Sequence, residues 1–197
     1  MRKKIFKNKA VFIDRDGCLI KEYGYISTLS KIQFFKNSIK ALKLLKQNKY
    51  KIIVVTNQSG VAYGYFPESF VREAHRYIAQ KLKKSGLKID GFYYCPHHKN
   101  AKIEKYKKNC KCRKPNTGMI IKAQKKFNID LKKSYTMGDK LTDVKLGHNA
   151  GMKGILVLTG FGRWQRTLIN KEKIIPDYIA KDFLYAVKWI IKNNGGK

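Results

Sequence analysis

The stretch Val11-Phe12-Ile13-Asp14-Arg15-Asp16-Gly17-Cys18-Leu19-Ile20 decides how the chain is read. Its apolar start is short and β-branched at Val11 and Ile13, which predicts a buried strand. The strand runs into two carboxylates spaced i and i+2. Acids there are costly to bury unless a cation or a reaction requires them. On extended backbone Asp14 and Asp16 project to the same side. That arrangement can hold a divalent ion and leave one carboxylate facing a substrate. Gly17 permits a sharp exit from the sheet edge.

Working outward, strands and helices alternate. A loop over 20–35, rich in Tyr, Ser and Thr, is expected to lie over the strand end. A helix follows over Ser38–Gln47, then a buried strand Lys51–Thr56 leading into Asn57-Gln58-Ser59-Gly60. A helix spans Pro67–Lys84, with Pro at its first turn and Phe70, Ala74, Tyr77, Ile78 and Leu82 on one face. A short strand covers Ile89–Tyr94. Residues 95–116 have little apolar periodicity and carry three cysteines. Then come a helix Thr117–Phe127, a strand Ser134–Met137 ending on Gly138-Asp139, a helix Asp143–Asn149, a strand Gly154–Leu158 and an outer helix Asp182–Lys192. This alternation predicts an α/β fold, a three-layer Rossmann-like sandwich with a mainly parallel sheet. It is expected to form a single domain over 1–197 with an inserted metal-binding loop at 95–112 and no large cap. Ligands of such sheets bind beyond the strand carboxyl ends, where Asp14, Asp16, Thr56, Asn57 and Asp139 all fall.

Composition bounds the function. Hydrophobic residues make up 43% and charged residues 29% of 197, as in a soluble globular chain. No run of about 18 apolar residues exists, so no membrane span is expected. The basic start, Met1-Arg2-Lys3-Lys4-Ile5-Phe6-Lys7, lacks the apolar core of a signal peptide, and a cytoplasmic location is expected. The net charge of +31 would attract anions, including nucleic acid. Its lysines are scattered rather than gathered in one patch, which favours compositional drift. A nucleic-acid-binding protein would show strongly salt-dependent binding, and would have no use for acids at strand ends.

Several constellations carry chemistry. Asp14, Asp16 and Asp139 form an oxygen-rich set suited to Mg²⁺, with Asp143 four residues on as support. Read singly, Asp139 could cap a helix and Asp16 could shape a turn. Thr56-Asn57-Gln58-Ser59-Gly60 offers hydroxyls, amides and backbone N–H groups to a phosphate. In Arg113-Lys114-Pro115, Lys114 can neutralise a phosphoryl oxygen and Arg113 can contact one bidentately; Lys140 is a further cation beside Asp139. Cys95, His97, Cys110 and Cys112 have the spacing C-x-H-x12-C-x-C. That pattern fits a closed structural Zn²⁺ site, His98 being the competing imidazole. Such a metal would staple a lysine-rich loop that has no core of its own. Cys18 reads as a small buried residue.

In order along the chain stand Asp14-Arg15-Asp16-Gly17, Thr56-Asn57-Gln58-Ser59-Gly60, Cys95-Pro96-His97-His98, Cys110-Lys111-Cys112-Arg113-Lys114-Pro115 and Gly138-Asp139-Lys140. With these five pieces the chain resembles the haloacid dehalogenase superfamily and, within it, the zinc-loop phosphatases. The heptose bisphosphate phosphatases of that group are the nearer match, on Tyr23-Gly24-Tyr25, Thr56–Gly60 and the Arg113-Lys114 pair; histidinol-phosphate phosphatases are the alternative. The resemblance implies a small-sugar phosphatase removing the 7-phosphate of a heptose 1,7-bisphosphate, in nucleotide-activated heptose synthesis for a surface glycan. It implies Asp14 as nucleophile, Asp16 as general acid and base, and Thr56 and Lys114 on the phosphoryl oxygens. Mg²⁺ would sit on Asp14, the Asp16 carbonyl and Asp139. Asn57, Gln58, Ser59, Arg113, Lys140 and Glu22, Tyr23, Gly24 and Tyr25 would contact the substrate, and the protein would act as a monomer. Cys18, Ile20 and Tyr63 depart from the pattern, the last two near the expected sugar site.

Overall fold

The structure is a computed structural model, and it describes residues 7–194. Met1–Phe6, most of the basic start considered above, lies outside them. The opening strand is β1, Ala10–Ile13, buried along its whole length. Its side chains alternate between two cores, as period-two geometry demands. Val11 and Ile13 face a core with Ala41, Leu42 and Leu45, Ala74 and Ile78, and Val187 and Ile190. Ala10 and Phe12 face another with Met119, Ile120 and Ala123. A strand covered on both faces reads as a continuous apolar run, and parallel sheets are built from such strands.

The helices supplying these residues are α1 (Ser38–Gln47), α2 (Glu68–Lys83) and α3 (Gly118–Phe127), with α4 (Leu141–Asn149) and α7 (Phe183–Asn194) further on. Between α4 and α7 lie two short helices, α5 (Gly162–Thr167) and α6 (Ile169–Glu172). The remaining strands are β2 (Lys51–Asn57), β3 (Gly91–Cys95), β4 (Tyr135–Gly138), β5 (Lys153–Val157) and β6 (Tyr178–Ala180). Among the described residues the sheet order is β3-β2-β1-β4-β5-β6, and every pairing is parallel. Val11 pairs with Ile52 on one side and Tyr135 on the other. The chain therefore winds outward from β1 through β2 to β3, then returns to β4 and winds the other way. The reversal leaves a crevice at the carboxyl end of β1, where open α/β sheets bind ligands.

The expected elements are present with boundary shifts that have local causes. Pro67 is the extended residue before α2 rather than part of its first turn. β3 begins at Gly91 because Asp90 is occupied: its carboxylate accepts from the Ile52 backbone N–H and pairs with Lys51. Helix α4 starts two residues earlier than expected, with the Asp143 carboxylate accepting from the Lys140 backbone N–H at 3.3 Å. The strand β6 and the helices α5 and α6 were not anticipated. β6 is 3 residues long, too short for a periodic signal.

Candidate active site

The crevice at the end of β1 is a cleft of about 500 Å³. Immediately after β1, the Asp14 backbone N–H donates to the Met137 carbonyl of β4 at 2.9 Å. Asp14 is 5% exposed and so is Lys114. The Lys114 ammonium lies 2.8 Å from Asp14 Oδ1 and 2.6 Å from Asp143 Oδ1. It also donates to the Val55 carbonyl of β2 at 3.1 Å. Burial pulls the Lys114 pKa down, but Asp14 and Asp143 together outweigh it and hold the group charged. Its main chain is fixed from β2: Lys114 N–H donates to Asn57 Oδ1 at 3.0 Å, and Asn57 Nδ2 donates to the Lys114 carbonyl at 3.3 Å. Asn57 thus spends its amide on orienting Lys114.

Carboxylate oxygens of Asp14, Asp139 and Asp143 converge within 4.8 Å of one another, all three residues buried. Asp139 Oδ2 accepts from the Phe161 backbone N–H at 2.8 Å. Asp139 Oδ1 is buried with no hydrogen-bond partner among the described residues. Glycines wall the set. A Cβ at Gly17 or Gly160 would fall on the Asp139 carboxylate, and one at Gly138 on that of Asp143. Gly17 and Gly160 also have φ of +78° and +54°, which L side chains rarely adopt. Burial, then the neighbouring Asp14 charge, pushes Asp139 up to about 8. Burial pushes Asp143 up to about 6, with Lys114 pulling it back. Three buried acids face one buried lysine, since the Lys140 side chain is 40% exposed. An orphaned acceptor, a glycine-walled hollow and a deficit of positive charge fit a hard divalent cation.

Asp16 does not share this set. Its carboxylate accepts from Arg15 Nε at 3.0 and 3.1 Å, from Arg15 Nη2 at 2.9 Å and from Gln58 Nε2 at 2.9 Å. Any part for Asp16 in holding a metal falls to its backbone. Gln58 Nε2 also donates to Thr56 Oγ1 at 2.8 Å, so Gln58 is an internal strut as well as part of the cleft lining. Of the other expected substrate contacts, Glu22, Gly24, Tyr25, Ser59, Arg113 and Lys140 line the cleft. Tyr23 does not; it is 45% exposed and its hydroxyl donates to Gln33 Oε1 at 3.1 Å. Arg113 Nη1 donates to the His97 carbonyl at 3.1 Å. Cys18 is fully buried, and burial, then Asp14, Asp139 and Asp143, keeps its thiol protonated.

Residues the sequence reading passed over also meet here. Phe66, Thr142 and Phe161 line the cleft. Thr159 Oγ1 donates to the Gly17 carbonyl at 2.6 Å, tying the loop after β5 to the turn after β1. Arg15 is 2% exposed and lies beneath Asp16. Its place between two acids was the one available signal, because a buried guanidinium needs such partners.

The cysteine loop follows β3. Donor atoms of Cys95, His97, Cys110 and Cys112 converge within 4.8 Å. His97 Nδ1 stands 3.7 Å from Cys95 Sγ and 3.6 Å from Cys112 Sγ. Burial, then Lys108, lowers the His97 pKa, favouring the neutral imidazole a metal ligand must be. His98 points elsewhere: its Nδ1 accepts from the Asn100 backbone N–H at 3.1 Å and lies 2.9 Å from the Tyr63 hydroxyl. Three thiols and an imidazole in one shell match a tetrahedral zinc site. The loop brings Arg113 and Lys114 to the cleft directly after Cys112.

Known proteins resemble this chain. The HAD-hydrolase-like family model matches residues 111–186. The D-glycero-beta-D-manno-heptose-1,7-bisphosphate 7-phosphatase of Haemophilus influenzae is 44% identical over 173 residues, 87% of this chain and 91% of that protein. The enzyme of the same name from Pasteurella multocida is 44% identical over 77% of this chain and 83% of its own. Among solved structures, the D,D-heptose 1,7-bisphosphate phosphatase of B. bronchiseptica, complexed with magnesium and phosphate, superposes with a TM-score of 0.82 at 25% identity. That match covers 94% of this chain and 99% of the other. The chain is a phosphoric monoester hydrolase and belongs to the heptose-1,7-bisphosphate 7-phosphatase family of haloacid dehalogenase-like hydrolases.

Proposed function

We propose that the protein removes the 7-phosphate of D-glycero-D-manno-heptose 1,7-bisphosphate, within nucleotide-activated heptose synthesis. The observation that carries this reading is Asp14, a carboxylate at the floor of the cleft held 2.8 Å from a buried lysine, in a chain 44% identical to an enzyme named for that reaction. Asp14 attacks phosphorus, and the bond from phosphorus to the sugar oxygen breaks as an aspartyl phosphate forms. Asp16 gives the leaving oxygen its proton, then takes one from the water that hydrolyses the intermediate and frees Asp14. Lys114 and Thr56 hold the transferring oxygens, where positioning and charge stabilisation are the main requirements. Asp14, the Asp16 carbonyl and Asp139, backed by Asp143, would hold Mg²⁺, whose charge offsets the repulsion between carboxylate and phosphate dianion. Arg113, with one nitrogen on the His97 carbonyl, and Lys140, 3.8 Å from Glu22, both line the cleft and are the cations offered to the second phosphate of a bisphosphate. The chain would act as one domain and as a cytoplasmic monomer; no helix among the described residues is long and apolar enough to cross a membrane.

Steady-state kinetics with heptose 1,7-bisphosphate and histidinol phosphate tests the substrate. A higher kcat/KM on the heptose bisphosphate is expected, and a preference for histidinol phosphate would overturn the assignment. The cysteine loop is proposed to bind structural zinc. Metal analysis of the purified chain should find about one zinc, because four protein ligands close the shell. Cys110→Ser should lower both zinc content and melting temperature; if neither changes, the site is not structural zinc.

A further inference from the structure

Arg15 is the largest fully buried side chain among the described residues, and no step proposed above uses it. Its guanidinium is fully engaged on the side facing the cleft. Nε reaches both Asp16 oxygens at 3.0 and 3.1 Å, and Nη2 reaches Asp16 Oδ2 and Gln58 Oε1, each at 2.9 Å. Gln58 closes the ring by donating to the same Asp16 oxygen at 2.9 Å. On the far side, Arg15 Nη1 is buried without a partner among the described residues, and so is His75 Nε2 on α2. Burial first, then Arg15, pushes that imidazole down to about 3. His75 is therefore neutral, stacked on Phe92 with ring centroids 4.7 Å apart.

A charged group is costly to bury for packing alone. We infer that Arg15, propped by Gln58, is the positioning residue that aims the Asp16 carboxylate at the leaving oxygen and at the hydrolytic water. The guanidinium fork fixes a carboxylate in plane as well as in place, and a misplacement of about 1 Å in such a group costs roughly 10²-fold. This rests on the phosphatase reading, in which Asp16 serves both half-reactions: it protonates the sugar oxygen first and deprotonates water second.

The test separates those halves in Arg15→Met and, should that variant not fold, in Gln58→Leu. A nitrophenyl phosphate loses a stable phenolate, so forming its aspartyl phosphate needs no proton from Asp16, whereas hydrolysing that intermediate still needs a base. Rapid mixing with p-nitrophenyl phosphate should give a burst of nitrophenolate approaching one per chain, followed by turnover slowed at least 10-fold. Intact-mass analysis should find the phosphoryl group retained on the protein. With the heptose bisphosphate the same variant should show neither burst nor appreciable turnover, and Arg15→Lys should fall between it and the unaltered chain. Equal slowing on both substrates without a burst, or unchanged kinetics, overturns the assignment of Arg15. If the unaltered chain turns over neither phosphate, it is the phosphatase reading that fails.

Discussion

Asp14→Asn should lose phosphate release by about 10⁴-fold or more, as expected when a group central to the chemistry is removed. Asparagine matches aspartate in shape, so the loss is chemical. A neutral amide oxygen cannot attack phosphorus to give a mixed anhydride that water will then open. The fold should survive for reasons visible at the floor of the cleft. Lys114 keeps Asp143 at 2.6 Å and the Val55 carbonyl at 3.1 Å. The crowding that pushes Asp139 up to about 8 includes the Asp14 charge, and the substitution relieves it. The melting temperature in EDTA should accordingly equal or exceed that of the unaltered chain. Turnover above about one per cent of normal would remove Asp14 as nucleophile.

The second large effect is on stability. Lys114→Met leaves Asp14 and Asp143 buried without their shared cation, a loss of about 3–5 kcal/mol by the usual cost of orphaning a buried charge. The sign with pH follows from Asp143, which stands at about 6. A carboxyl raised above its unfolded value favours the folded state at low pH, and that advantage is lost as pH rises through the folded pKa. Without Lys114 to pull it down, Asp143 titrates higher still, so the penalty should be larger at pH 8 than at pH 5.5. Urea unfolding at the two values, in EDTA, measures it. An equal penalty at both would mean that Lys114 acts through packing alone. Activity should fall as well, because the same ammonium is proposed to hold a transferring phosphoryl oxygen.

The strand ends were legible because chemistry interrupts hydrophobicity there. Val11 to Ile13 followed by Asp14 is an apolar run halted by an acid, Tyr135 to Gly138 is a buried strand likewise ending on Asp139, and the topology brings both to one crevice. Spacing picked out the cysteine loop, and the donor atoms of Cys95, His97, Cys110 and Cys112 do converge, but spacing alone did not separate His97 from His98. What stayed hidden is the distribution of duties among neighbours. Asn57 and Gln58 read as phosphate contacts, yet Asn57 clasps the Lys114 main chain and Gln58 bridges Arg15, Asp16 and Thr56. Such partners depend on side chains that approach from far along the chain. Tyr23 sits in the expected loop but faces Gln33, since loop residues follow no period that assigns a face. His75 lies inside a helical pattern, where a lone histidine gives no sign of the Phe92 and Tyr94 rings it packs against.

The glycine wall around the acids has an evolutionary consequence. Any side chain at Gly17, Gly138 or Gly160 would enter the space of the Asp139 or Asp143 carboxylate. These three positions do no chemistry, yet selection should hold them as firmly as the acids, since each admits only hydrogen. The rim, set by Tyr25, Arg113 and Lys140, has no such restriction and is free to diverge. A lineage could exchange one sugar phosphate for another by altering the mouth, while the mould around the three acids passed unchanged from ancestor to descendant.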